Sequence, residues 1–425
     1  MELLFFISFL LLKQFYIFPS GSIGLADLCL GVSGLVIVGK QIREYQKYKK
    51  EGLSGRLILH KIFNWEEDKF LYIFLACVVI INSVYTCRER SIGFVKYSVY
   101  WLYNGMAIWC FRYIGREQNF KKYSVIAVRT NILLQTGIWI SGRGRLFHEY
   151  WGGTRYMGTF NDPNQLAFFL FMMILLLYLL KEKGQIWDSL FYGMAIAVIA
   201  ASKSTGIFLG VLVFGGCLAA KWMYGIYRAD KLPRQVWRMG TAIFLISITA
   251  GLWVLWPDAD FSIQEGNFTL VERIQEKIWK ISQDGAGGIL MDRGLDKLIQ
   301  YPQYVIFGAG EGGFARFSAS VQINEIHCCL FSILFCYGIV PTGILLAWLG
   351  RQLKALEGWM CPAAVALLAE SFLLINYRQP LFWLILMYGA VVGERGEIQK
   401  RGCKMKPKTP LEAVKNSVSM GKNLF

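Results

Sequence analysis

Long apolar runs, separated by clusters of charge, dominate the chain. Hydropathy and breaker residues place the runs near 3–18, 22–39, 70–87, 94–114, 124–140, 165–180, 186–202, 204–220, 239–256, 327–350, 359–377 and 381–394. Most approach the ~20 residues that cross the hydrocarbon core of a bilayer. Inside lipid each segment must satisfy its own backbone donors and acceptors, so such runs are expected as helices. The expected fold class is all-α, a polytopic membrane protein of about twelve transmembrane helices. The first run has no basic segment before it and no small-residue cleavage site, so it reads as a retained helix.

This divides the chain into 1–140 (helices one to five, with a basic cytoplasmic loop at 40–69), an outer loop at 141–164 and helices six to nine at 165–256. A large outer loop at 257–326, helices ten to twelve at 327–394 and a basic cytoplasmic tail at 395–425 complete it. Within the large loop, a helical wheel from Met291 to Gln300 puts Met291, Leu295, Leu298 and Ile299 on one arc, opposite Asp292, Arg293, Asp296 and Lys297. Leu270, Ile274, Ile278 and Ile281 form a similar stripe, so both segments read as interfacial helices capping the bundle.

Composition sharpens the class. Of the 425 residues 55% are hydrophobic and only 17% charged, against about a quarter charged in soluble domains. That excludes a soluble enzyme or a nucleic-acid-binding domain, despite a net charge of +16. With the N terminus inside, 29 of the 45 Lys and Arg residues fall on the cytoplasmic side and 13 outside. The asymmetry favours both termini in the cytoplasm. Lys13 lies within an apolar run and must snorkel or face the bundle. The ten cysteines are scattered without CxxC spacing, which predicts neither a disulfide framework nor a zinc site.

Three stretches carry candidate chemistry. At the mouth of the sixth run, Asn161-Asp162-Pro163-Asn164 is a turn leading into a helix start, capped by Asn161 or Asp162. A helix N-terminus with Arg155 beside it suits a phosphate; equally, Arg155 marks the interface and Asn164 is part of a cap. In the large loop, Arg293 precedes the glycine-rich run Phe307 to Gly313, where Gly308 and Gly310 could lay amides against an anion. Taken alone, the run reads as a flexible loop. Third, His327 stands at the start of a run with Glu325 nearby, able to take a proton or to anchor at the interface. His148 is a further candidate substrate contact, and Tyr150, Trp151, Tyr156 and Phe160 could stack sugars or form an aromatic belt.

Arg155, Gly158-Thr159-Phe160 and Pro163-Asn164, then Arg293 with the glycine run, then His327 with Leu330 and Gly338, together resemble the signature of the O-antigen ligase/polymerase superfamily. The Ser202-Lys203-Ser204 break is similar to that family's Ser-Arg/Lys pair between two spans. The chain departs from the pattern at Cys328, where Asn or Ser is common, and at Cys336, where an acidic residue is common.

The resemblance implies glycosyl transfer on the outer face of a bacterial cytoplasmic membrane, without metal, nucleotide or other cofactor. The donor would be an isoprenoid-pyrophosphate-linked oligosaccharide and the acceptor a hydroxyl of another glycan, with membrane lipid and other polysaccharide-assembly proteins as further partners and no nucleic acid. The implied catalytic residues are His327, Arg155 and Arg293. Glu325, Asn161, Asn164, Lys203, Gly308 and Gly310 are the implied substrate-binding residues. A polymerase of O-antigen, capsule or exopolysaccharide is the leading expectation. A ligase that passes finished glycan to a terminal acceptor is the alternative. A flippase of lipid-linked sugar, with Asp27 and Glu370 as intramembrane charges, and a non-catalytic scaffold are rivals from other classes.

Overall fold

A computed structural model describes residues 1–15, 24–50, 55, 62–148, 153–180, 187–228, 269–317 and 325–392. The expected span at 239–256, Tyr150, Trp151 and the tail from 395 lie outside these.

The described residues are mostly helical. The first part comprises α1 (Glu2–Leu12), α2 (Leu25–Lys50), α3 (Trp65–Glu89), α4 (Gly93–Ile114) and α5 (Phe120–Ile140). A hairpin of β1 (Arg145–His148) and β2 (Thr154–Gly158) follows, then α6 (Pro163–Leu180), α7 (Asp188–Ser202) and α8 (Thr205–Arg228). The remainder is α9 (Leu270–Asp292), α10 (Asp296–Gln300), α11 (Pro302–Phe307), α12 (Cys329–Tyr337), α13 (Ile339–Lys354), α14 (Cys361–Ser371) and α15 (Pro380–Leu386). Four of these, α2, α3, α6 and α8, are long and apolar enough to cross a membrane.

α6 is the axis of the bundle. Its sequence is apolar all round, which stabilises a helix only where every face meets protein or lipid; here nearly every side chain is buried. It packs against α5, α7, α8, α14, α15 and β2. Several charges among the helices are paired. Lys13 meets Asp27 at 3.3 Å and Arg129 meets Asp188 at 2.7 Å. Asp27 also accepts the Tyr103 hydroxyl, at 2.6 Å.

The structure departs from the expected continuous helices in two places, and one outer loop contains strands. The run at 327–350 is two helices, α12 and α13, broken at Gly338, whose φ of 81° suits glycine. A Cβ there would stand 2.4 Å from the Ile306 carbonyl oxygen, so the break admits α11 against it. The run at 359–377 is helical only to Ser371, and the chain then turns irregularly until Pro380 starts α15. The outer loop at 141–164 contains a short antiparallel sheet, pairing Phe147 with Arg155 and His148 with Thr154.

The wheel drawn over 291–300 is also corrected. Met291 and Ile299 are exposed, while Asp296 and Lys297 are buried. The cause is Gly294, at φ 66°. It closes α9 with a Schellman pair, Leu295 N to Leu290 O at 2.7 Å and Gly294 N to Met291 O at 3.0 Å, so one continuous wheel does not apply. Burial pushes the Lys297 ammonium's pKa down, against the opposing pull of Asp296. The large loop nonetheless has its own small core, Ala309, Phe317, Ile326, Cys328 and Phe335, packed with Tyr301 and Tyr304.

Candidate functional site

At one end of the bundle a cavity of about 370 Å³ opens between α6, the segment at 325–327 and the irregular segment at 374–379. Its walls combine polar groups (Asn164, Glu325, His327, Asn376, Arg378) with an apolar floor that includes Phe168, Met172 and Leu381. The sequence brings them together through local rules. Pro163 starts α6, and Asp162 caps it by accepting the amides of Asn164 at 2.7 Å and Gln165 at 3.2 Å. Of the two possible caps, Asp162 is thus the one used. Its carboxylate takes the helix's first donors and the positive end of its dipole. An anion at this end is therefore left to side-chain cations.

Arg155 comes from β2 and is buried. Its Nε donates to the Ser202 carbonyl at 2.9 Å and its Nη2 to Asn164 Oδ1 at 2.8 Å. Ser204 Oγ donates to the same Asn164 oxygen at 2.8 Å. Asn164 therefore ties the hairpin, the start of α6 and the α7–α8 turn to the cavity wall. Lys203 occupies that turn in a left-handed conformation, φ 52°, and donates to the Thr154 carbonyl at 2.8 Å. Arg293 donates to the Leu373 carbonyl at 2.6 Å, while its own carbonyl accepts the His327 amide at 2.9 Å. These carbonyl and amide acceptors are neutral and fix where each cation stands.

Of the sequence-derived site residues, His327, Glu325 and Asn164 line the cavity. Arg155 is bonded to one wall residue and Arg293 to the backbone of another. Lys203 is bonded to the hairpin and does not line the cavity. Asn161 is half-buried and does not line the cavity. His148 is exposed on β1, and Phe160 reaches the cavity.

Gly308 and Gly310 have a different task from the one expected. The amides of residues 308 to 311 donate in turn to Tyr304 O, Phe335 O, Cys336 O and Asn82 Oδ1, at 2.8–2.9 Å. With these donors committed, the run does not lie open to an anion. Its glycines permit close packing instead. A Cβ on Gly310, at φ 70°, would meet the Tyr85 ring at 2.7 Å. Arg316 closes the run by packing over the Tyr85, Phe94 and Phe317 rings, with centroids 4.7–5.0 Å away.

What the packed run presents is Glu311, which sequence reasoning passed over. This fully buried carboxylate accepts from Trp101 Nε1 at 3.0 Å, Tyr337 OH at 2.6 Å, Tyr377 OH at 2.8 Å and Arg378 Nε at 2.8 Å. Arg378 in turn bridges to Glu325 at 3.0 Å, and Glu325 accepts from Tyr97 OH at 3.0 Å. Burial works against the charge on Arg378, but Tyr377, Glu311 and Glu325 outweigh it and raise its pKa further. Glu325 is thus held by Arg378 and Tyr97 and reaches the cavity as the outer carboxylate of this chain. The available signal was Arg378-Gln379-Pro380, polar residues before a proline-led apolar run, which repeats the Asp162-Pro163 pattern.

Glu370 lies behind the same wall, its Oε1 accepting from Asn376 Nδ2 at 2.5 Å and its Oε2 buried without a hydrogen bond. Asp27 and Glu370, the two carboxylates considered for a transporter, are held by separate partners. Among the described residues no group of His, Cys, Asp and Glu stands close enough to hold a metal ion. No family model matches the chain, and no curated protein matches it.

Proposed function

We propose that the protein is a metal-independent membrane glycosyltransferase that polymerises lipid-linked oligosaccharide on the outer face of the cytoplasmic membrane. The observation that carries this reading is the cavity, where His327, Glu325 and Asn164, from distant parts of the chain, share one chamber with a polar rim and an apolar floor. Such a chamber suits an amphiphilic donor, a charged pyrophosphate with a sugar on one side and a hydrocarbon tail on the other.

In the proposed step, the acceptor hydroxyl oxygen attacks the anomeric carbon of the donor sugar. The bond from that carbon to the pyrophosphate oxygen breaks, and the electron pair leaves with the pyrophosphate. His327 takes the hydroxyl proton. Arg155 and Arg293 stabilise the charge that grows on the leaving group, with Lys203 supporting the hairpin that carries Arg155. Glu325, bound to Arg378 and Tyr97, serves the cavity as a fixed negative group for sugar hydroxyls.

The test is the surface glycan of a deletion strain complemented with wild-type, His327→Ala or Arg293→Ala protein, with expression checked. A polymerase gives a long ladder with wild type and single repeat units with the variants. Long glycan accumulating on the lipid carrier in the variants identifies a ligase with the same chemistry, and wild-type ladders from both variants overturn the reading. The proposed orientation has its own check: a cysteine at position 161 should label from outside and one at position 49 from inside.

A further inference from the structure

Away from the cavity, α2, α3 and α4 enclose a groove of about 460 Å³ on the side of the bundle. Its wall is almost entirely apolar, with Val38, Ile42, Leu75, Leu102 and Met106 among its residues, and Val38, Ile42 and Leu102 remain exposed. Gly105 lies in the wall, where a Cβ would stand 2.6 Å from Leu75 Cδ1, so any larger residue there would displace Leu75.

The groove runs into a smaller polar pocket. The two share Gln41, Ile62 and Trp109, and the pocket adds Glu44, Tyr48, Asn64, Tyr113 and Arg116. Arg116 Nη2 donates to Asn64 Oδ1 at 3.2 Å. Around it the end of α2 carries Arg43, Lys47, Lys49 and Lys50 with one acid, Glu44, while Lys40 is paired with Glu2. An apolar slot open to the side, ending in a polar pocket under a cationic rim, matches a molecule with a hydrocarbon chain and an anionic head. Trp109 stands where the two meet, with Tyr45 lining the groove and Tyr113 the pocket, as aromatic residues do at a membrane interface.

We propose that this is a binding site for an anionic bilayer phospholipid, with one acyl chain in the groove and the phosphate at the pocket of Gln41, Asn64 and Arg116. The site lies apart from His327 and is independent of the glycosyl-transfer reading.

The test uses the purified full-length protein, delipidated in detergent and titrated with dioleoyl phosphatidylglycerol or dioleoyl phosphatidylcholine under native mass spectrometry. Wild type should retain phosphatidylglycerol in preference to phosphatidylcholine. Leu102→Trp and Val38→Trp, which fill the groove from two different helices, should lose that retained lipid. Arg116→Gln should weaken phosphatidylglycerol about fivefold, the effect of one arginine near an anionic surface. Arg116→Gln leaves the groove wall intact, so it decides the matter if the tryptophan variants do not fold. Equal retention of both lipids, unchanged binding in Arg116→Gln, or a dimer that Leu102→Trp dissociates would each overturn the proposal.

Discussion

The two ends of the bundle both bury an arginine among acids and aromatic rings, and they use it differently. Away from the cavity, Arg112 and Asp68 are each only 1% exposed. Arg112 pairs with both oxygens of Asp68, at 2.6 and 2.8 Å, and also donates to Gln352, while Trp348 Nε1 donates to Asp68 at 2.8 Å. That cluster is closed: partners surround the pair and join α3, α4 and α13. At the cavity end, Arg378 lies between Glu311 and Glu325 and is 21% exposed. Its inner partner is saturated and its outer partner borders empty volume. The same chemistry closes on itself at one end to lock helices, and at the other stops one group short and presents charge to a chamber.

The sharpest way to break this comparison is Arg112→Ala. It leaves Asp68 buried without its partner and should cost about 3–5 kcal/mol of stability, read by thermal unfolding of the purified protein. If Arg112→Ala left stability intact and abolished glycan synthesis, the closed cluster would be functional and the comparison would fail. Arg155→Ala should act in the opposite manner, reducing the transfer rate by about 10²–10³-fold, the effect of losing one oxyanion donor. Because Arg155 also joins β2 to Ser202 and Asn164, unfolding should be monitored on the same samples, and Arg155→Lys should recover only part of the rate. Glu311→Gln should cost about 1.5–3 kcal/mol, since it weakens charge-assisted hydrogen bonds from Arg378, Tyr337 and Tyr377. Smallest is Asp162→Ala, where loss of the α6 cap should cost about 1 kcal/mol.

These contrasts also show what a linear reading can and cannot reach. Asp162-Pro163 was legible because a cap and a first-turn proline act within three residues. The apolar runs of α2, α3, α6 and α8 were legible because length and composition alone decide whether a helix can span. His327, Asn164 and Arg155 were found through motif spacing; the first two line one cavity and Arg155 is bonded to Asn164. Glu311 and Arg378 were missed because their pairing joins residues 67 apart in the chain, which no local pattern encodes. The glycine run misled for a related reason: glycine permits both an exposed anion cradle and a tightly packed turn, and only the arrival of Tyr85, Phe335 and Cys336 from elsewhere decides between them. The wheel over 291–300 failed at a single residue, Gly294, which ends the helix where continuous helix was assumed.

The central claim is that the cavity holding His327 performs glycosyl transfer. Purified protein supplied with an isoprenoid-pyrophosphate-linked repeat unit should release isoprenyl pyrophosphate and form a longer glycan. His327→Ala, shown to be folded by its unfolding temperature, should be slower by about 10²–10⁴-fold, as expected for loss of a general base. A folded His327→Ala protein that transfers at the wild-type rate would contradict the account.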